Sequence, residues 1–356
     1  MNKGISIVIC TYNGSHLLPA TLRHIAQQQV PSSIAWEVIV VDNASTDDSA
    51  KVANNYWALL ACNIPLTIIF QPSPGLNYAR EKGFTSAKYE YILMCDDDNW
   101  LASNYVCTAF DIMEKNSSIG MLGGNGKLAY EVSPPDWAVK YPIHANGPQA
   151  PVSGKVPHYG VYGAGSIMRK SAYERIRQAG FRFLLTDRLG SQLSSGGDFE
   201  LCHGLAMAGY LIYYDERLSF THFITANRIT WSYYVNFLNQ DALSFTVLEP
   251  YGIFLRIKSH NLLIFWVNLL KNFMYFSLRF ISIFLFKFVS GLNKNEKAIN
   301  LKLIMLKPRV YSYKRFVKMT RNFLIASTFQ RRFQQQMAME GSVRQTVSQP
   351  NEMVFR

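Results

Sequence analysis

At 356 residues the chain is long enough for one large α/β domain with extensions, and an apolar share of 49% excludes wholesale disorder. The formal charge of +12 is uneven: residues 1–250 carry a net −3 and residues 251–356 a net +15. A near-neutral catalytic or binding domain followed by a basic appendage is therefore expected, and a chain basic throughout is excluded.

The N-terminal MNKGISIVIC enters a strand at once and carries neither a signal nor a transit peptide, so a cytosolic orientation is expected. Cys10, Cys62, Cys95, Cys107 and Cys202 form no C-x-x-C pair, which suits buried free thiols in a reducing compartment. Short β-branched runs at 5–10, 37–42, 66–70 and 91–95 are apolar on both faces, as strands buried in a parallel sheet are. Segments 17–29, 47–61 and 76–87 between them are long enough for crossover helices. Repeated β-α-β units predict an α/β fold: an open, mostly parallel sheet with flanking helices, whose ligands sit beyond the carboxyl ends of the strands.

Asp42 and the trio Asp96-Asp97-Asp98 fall at that edge. Alternation at a strand end turns Asp96 and Asp98 to one side and Asp97 to the other. Two hard oxygen ligands on one side suit Mg²⁺ or Mn²⁺, which would remove the repulsion among the three. A solvated acidic turn is the alternative. Thr11 and Tyr12 follow the first strand. Asp42 could accept from a base or ribose, or serve as a helix cap. PSPGLNYAR (72–80) gives a rigid turn, then a helix whose first turns carry Asn77 and Arg80; the arginine could pair with a diphosphate or lie on an ordinary surface.

Residues 131–157, rich in Pro and Gly, read as a long loop. YGVYGAGSIMR and a helix near 171–180 come next, then SSGGDFELCHGLAMAG turning into a helix, and one or two strands over 210–223. The stretch 258–290 changes character. Its polar residues, apart from Ser259, His260 and Ser277, occupy one arc of about 160° at helical spacing, and its longest run without Lys or Arg is 12 residues, 259–270, against roughly 20 for a span. A basic amphipathic helix lying at a membrane interface is expected, with packing on the domain or a broken span as alternatives. The stretch 307–336 is basic without an acidic residue, which suits an anionic membrane surface better than nucleic acid, for which no recognition motif exists.

Taken in order, SIVICTYNGS, VIVVDNASTDDS, PGLNYARE, ILMCDDDN, GAGSIMR and SGGDFELCHGLAMAG resemble the motifs of the family 2 glycosyltransferases. The resemblance covers about residues 4–225. It implies the GT-A fold, here with a C-terminal amphipathic helical extension, and an inverting, metal-dependent transfer of one sugar. The donor would be a nucleoside-diphosphate sugar, and the acceptor a hydroxyl on a glycan in surface polysaccharide assembly; that this glycan is lipid-linked is expected from the membrane location of the 258–290 helix and basic tail, not from the resemblance. By that resemblance Thr11, Tyr12 and Asp42 hold the nucleobase and ribose, and Asn77, Arg80 and Asp97 lie at the nucleotide. Asp96 and Asp98 bind Mn²⁺ or Mg²⁺, with His222 in FTHF as a third ligand or a core histidine. Asp198 is the catalytic base, or else a helix cap. Gly197 stands where the family often has glutamate, which leaves acceptor positioning open and a non-catalytic scaffold as the rival reading. RITW (228–231) matches a fragment of the Q-x-x-R-W signature of processive synthases, without its Gln. The expected organisation is a transferase domain over 1–230, a connector 231–257, the interfacial helix 258–290, a basic tail 291–336 and disorder over 337–356. The expected location is cytoplasmic, peripheral on the inner face of the cell membrane.

Overall fold

The computed structural model describes residues 2–189, 193, 195–241, 244–289 and 296–347. In the first half the elements are β1 (Asn2–Thr11), α1 (Leu18–Ala26), β2 (Trp36–Asp42), α2 (Ser49–Leu59), β3 (Leu66–Phe70), α3 (Leu76–Ser86), β4 (Tyr89–Asp96), β5 (Asn99–Leu101) and α4 (Tyr105–Lys115). There follow β6 (Ile119–Tyr130), α5 (Asp136–Lys140), β7 (Gly154–Lys155), β8 (Ile167–Arg169), α6 (Lys170–Gln178), α7 (Gly197–Met207) and β9 (Leu211–Ile224). Helices α8 (Trp231–Asp241), α9 (Phe245–Ile257), α10 (Leu262–Val289), α11 (Glu296–Ser312) and α12 (Phe316–Val347) complete the chain.

One sheet runs in the order β3-β2-β1-β4-β8-β6-β9-β5, with β7 paired to β9. The β1–β2, β1–β4, β2–β3 and β6–β9 pairs are parallel, and β8 and β5 join antiparallel. Alternation along the strands splits the core into two layers. Ile5, Ile7, Ile9, Val38, Val40 and Leu93 face α1, α2 and α4, whereas Val8, Ile39, Val41, Ile92 and Met94 face α3, α6 and α7. Each fully buried aliphatic side chain contributes on the order of 1.5–3 kcal/mol, so both faces of β1 are strongly held. That firmness fixes the register Thr11↔Asp42 and Cys10↔Asp96, which aligns the three strand ends at one edge.

The four early strands and three crossover helices lie where periodicity places them. Segment 210–223 is one strand, not two. Strand β6 has no counterpart in the pattern reading, because Gly120, Gly123, Gly124 and Gly126 erase its alternation. A Cβ at Gly124 would collide with the Tyr105 hydroxyl and the Leu218 carbonyl, so close approach of neighbours, not a turn, requires that glycine. The loop after β6 contains α5 and β7. The described cysteines are all free thiols, but only Cys95 and Cys202 are buried, not all five.

Three expectations for the C-terminal third need correcting. The connector 231–257 is two helices, and α9 packs against α7, α10 and α12. Disorder from residue 337 is contradicted up to Val347, because Gln, Met, Ala and Glu after residue 333 favour continuation of α12; residues 348–356 lie outside the described residues. The 12-residue limit also underestimates α10. This helix has 28 residues and a mean hydropathy of 1.4 over Leu262–Lys287, long and apolar enough to cross a membrane by length and composition.

Helix α10 packs by one flank only. Phe265 stacks on Phe323 with ring centroids 4.2 Å apart. Asn272 donates to Glu249, and the Arg309 guanidinium lies 3.8 Å from the Phe245 ring and 4.2 Å from Phe276 while pairing with Glu249 at 2.5 Å. On the other side Leu263, Val267, Leu270, Met274, Leu278, Ile281 and Leu285 form an exposed stripe at three- and four-residue spacing.

Candidate active site

The aligned strand ends, the start of α3, the loop before α7, the end of α8 and the start of α9 enclose a cleft of about 740 Å³. Among the predicted site residues Thr11, Tyr12, Arg80, Asp96, Asp97, Asp98, Asp198 and His222 line it; Asp42 and Asn77 stand behind the lining. Asp42 is buried, and its carboxylate accepts the Ser45 backbone N–H at 3.0 Å, so it shapes the loop after β2. Tyr12 is half-exposed at the rim.

The three aspartates have three different environments. Asp97 turns to β1 and accepts the Thr11 hydroxyl proton at 2.6 Å, while its carbonyl accepts from Thr21 at 2.6 Å. The Thr11 hydroxyl, expected at the nucleotide, is thus engaged on the acidic turn. Burial, with Asp98 nearby, pushes the Asp97 carboxyl up to about 7. Asp98 accepts Asn99 Nδ2 at 2.9 Å and Arg228 Nη1 at 2.5 Å, with His222 Nε2 3.3 Å from the same Oδ2 that Arg228 holds. Burial alone would raise Asp98, but His222 and Arg228 hold it well below the usual carboxylate range. Asp96 is raised by burial and by Asp98, against a lowering pull from Arg80. No described group hydrogen-bonds the Asp96 carboxylate.

These environments identify the positive charge that lets three adjacent carboxylates persist. Much of it comes from the chain itself, through Arg228 just after β9. The arginine was legible only as part of RITW, with no role attached.

The donor set still suits a hard divalent ion, which commonly takes one or two carboxylates and fills the rest of its shell with phosphate oxygens and water. Asp96 is unfilled, Asp98 lies beside it, and His222 Nδ1 bonds the Ala145 carbonyl at 2.9 Å, an arrangement that leaves Nε2 facing Asp98. Among the described residues no three such groups already converge as a cage. Arg228 occupies the Oδ2 that a cation would need.

Across the cleft, Arg80 pairs with Asp187 at 2.9 Å, both side chains buried, and Nη1 also reaches Asn77 Oδ1 at 3.3 Å. Asn77 donates to the Leu185 carbonyl at 2.6 Å. Burial works against the Arg80 charge, but Asp187, Asp198 and Asp96 raise its pKa, so it stays cationic. Asp198, in the first turn of α7, accepts the Gly163 N–H on Oδ2 at 2.7 Å and the Phe199 N–H on Oδ1 at 2.9 Å. Burial raises its carboxyl, with Arg80 opposing.

Gly197 has no space for a side chain. A Cβ there would sit 2.5 Å from Asn77 Oδ1 and 2.7 Å from Asp187 Oδ2, and Asp187 Oδ2 accepts the Gly197 N–H at 3.1 Å. The carboxylate absent at 197 is replaced in space by one from ten residues upstream. Asp187 and the buried Glu200, whose carboxyl accepts the Leu184 and Leu185 N–H groups and is pushed up to about 8 by burial, had no signal in the sequence. His144, buried beside Arg228 and His222 and pushed down to about 3 chiefly by burial, was likewise hidden in the Pro/Gly-rich loop.

Residues 6–177 match the sequence profile of glycosyl transferase family 2. Over that stretch the chain is similar to the family 2 glycosyltransferases. Its relatives include a poly(ribitol-phosphate) beta-glucosyltransferase of Bacillus spizizenii, 32% identical over 127 residues (35% of this chain, 20% of that protein). A cholesterol galactosyltransferase of Borreliella burgdorferi is 25% identical over 114 residues (32% and 30%). The alignments thus span less than a third of either relative. The mannosyltransferase PcManGT of Pyrobaculum calidifontis, solved with GDP-Man and Mn²⁺, superposes with a TM-score of 0.55 at 17% identity over 89% of this chain and 88% of that one. The sheet has the GT-A fold, and the carboxyl edge of its strands holds the cleft.

Proposed function

We propose that the chain transfers one sugar from a nucleoside-diphosphate sugar to a hydroxyl of a glycan acceptor, with inversion at the anomeric carbon. The observation that carries this reading is the shared cleft: Asp198 opens into the same cavity as Arg80 and the Asp96–Asp98 turn, so a base and a diphosphate end face one space. Each Asp198 oxygen accepts one backbone N–H, which fixes the carboxylate and leaves lone pairs to take the acceptor's proton. One displacement then suffices, without a covalent nucleophile. Asp96 and Asp98, with His222, would hold Mg²⁺ or Mn²⁺, whose chemistry when bound is Lewis-acid stabilisation of the departing diphosphate. Asp187 keeps Arg80 charged and in place, and it supplies the carboxylate whose absence at Gly197 was the ground for the scaffold alternative.

The acceptor in this reading is a lipid-linked glycan in surface polysaccharide assembly. The far end of the cleft is apolar, with Phe237, Phe245 and Leu248, and relatives are named for polymer and sterol acceptors. The chain works on the cytoplasmic face of the membrane, with the exposed stripe of α10 and the basic C-terminal third against an anionic leaflet.

Purified full-length chain is tested with UDP-, GDP-, CDP- and dTDP-sugars in Mn²⁺. Donor-dependent release of a nucleoside diphosphate supports transfer; no turnover or donor binding with any of them would return the scaffold reading. The membrane arm has its own check. Leu270→Glu combined with Leu278→Glu is expected to lower cosedimentation with phosphatidylserine-containing vesicles by about tenfold or more, since each exposed leucine contributes on the order of 1 kcal/mol when half its surface leaves water. Unchanged sedimentation would remove α10 from the contact.

A further inference from the structure

We propose that Arg228 is a resident counter-cation of the Asp96–Asp98 turn, one that must leave Asp98 before a divalent ion can bind, and that the donor's diphosphate is what draws it away. The inference rests on the reading of the cleft as a metal–diphosphate site and adds an order of events to it.

Three observations carry it. Arg228 Nη1 and His222 Nε2 converge on one oxygen, Asp98 Oδ2, at 2.5 Å and 3.3 Å, while Asp98 Oδ1 is held by Asn99. The inward side of that carboxylate is therefore filled by the chain, whereas Asp96 next to it is not. Part of the Arg228 fork is also unused: Tyr233 and Asp98 hold the guanidinium, but its Nε is buried without a partner, and so is Nε2 of the adjacent His144. A guanidinium binds a phosphate through two parallel N–H groups, so an incoming diphosphate offers Arg228 the second acceptor that Asp98 does not give. Finally, Arg228 sits on the short turn Ala226–Ile229 immediately after β9, at the lip of the cleft, where a change of rotamer moves the guanidinium without disturbing the sheet.

The physical consequence is competition followed by cooperation. Without nucleotide, Arg228 neutralises Asp98, and a divalent ion would have to displace it and then sit beside it. With nucleotide bound, the guanidinium is attracted to the phosphate oxygens, Asp98 is released, and the same phosphates complete the ion's shell. Metal and nucleotide thus strengthen each other's binding by a common factor.

Free Mn²⁺ is measured by electron paramagnetic resonance in titrations of the full chain, with and without UDP, GDP, CDP or dTDP. For the unmodified chain, Mn²⁺ affinity is expected to rise at least about tenfold with a matching nucleotide, within the usual range of coupling between two sites. In Arg228→Gln and Arg228→Met, Mn²⁺ binding without nucleotide is expected to tighten by about tenfold, and the nucleotide's effect to shrink correspondingly. Unchanged Mn²⁺ affinity in folded variants, with coupling intact, would overturn the counter-cation role while leaving the metal–nucleotide reading standing. If no nucleotide promotes Mn²⁺ binding in any form, that reading falls and this inference with it. Should both variants fail to fold, the unmodified chain still decides: equal Mn²⁺ affinity with and without a bound nucleotide would refute the exchange.

Discussion

Asp198→Asn is expected to reduce sugar transfer by about 10³-fold or more, within the range typical for loss of a positioned general base, while donor affinity stays within about twofold. The environment of the side chain explains the separation. Its two oxygens face the Gly163 and Phe199 amides, both of them backbone features of the cleft wall, and neither hydrogen bond reaches the Asp96–Asp98 turn. An asparagine keeps the shape but must present its NH₂ to one of two N–H donors. One of those bonds is lost, at a cost of about 1 kcal/mol, which is too small to unfold the domain. The pH dependence adds a second readout. Burial raises the Asp198 carboxyl above its ordinary value despite Arg80 and the two amides. The base works ionised, so kcat/KM falls as pH drops through that raised pKa, and the acid limb lies above the usual aspartate range. The limb should vanish from the residual rate of the asparagine variant. Turnover near that of the unmodified chain, measured beside an unchanged melting temperature, would remove Asp198 from catalysis.

The parallel half of the sheet was legible because the physics there is local. Apolar runs such as ISIVIC and VIVV are short and β-branched, which favours strands buried on both faces, and the ends of such strands define the ligand edge. Asp96 and Asp98 could be placed from that rule alone. The rest of the site depends on partners distant in sequence: Asp98 and Arg228 are 130 residues apart, Arg80 and Asp187 107. No periodicity announces such pairs, so a positive partner for the aspartates was inferred as a metal ion when much of the charge is an arginine. Strand β6 was hidden for another reason. Its glycines answer to the bulk of their neighbours, Val161 at Gly123, Tyr105 and Leu218 at Gly124 and Phe220 at Gly126, and a pattern of side chains cannot show a requirement for their absence. In α10 the polar arc was found, but length and average hydropathy determine what a helix can reach, and counting residues between charges understated both.

Asp187→Ala is expected to destabilise the domain by about 3 kcal/mol or more, because removing one member of a buried ion pair typically costs 3–5 kcal/mol. Arg80 would remain buried with only the more distant Asp198 and Asp96 to offset it, and the Gly197 N–H would lose its acceptor. That loss is a large share of a total stability on the order of 5–15 kcal/mol. Gly197→Asp should also destabilise the unmodified background. Its Cβ meets Asn77 and the Asp187 carboxylate, overpacking that costs about 1–3 kcal/mol, and it sets a second negative charge against the first. Combined, the two changes should partly cancel. Alanine at 187 vacates the volume into which the new Cβ points, and the new carboxylate falls close to where Arg80 and the loop expect one. Urea unfolding of the two single variants and the double variant measures this directly, with a double variant more stable than Asp187→Ala as the expected result. Recovery cannot be complete, since Asn77 stays pinned to the Leu185 carbonyl at 2.6 Å and still crowds position 197. Simple additivity of the two losses would mean that Asp187 and position 197 do not share one place in the cleft, and the glycine would need another explanation.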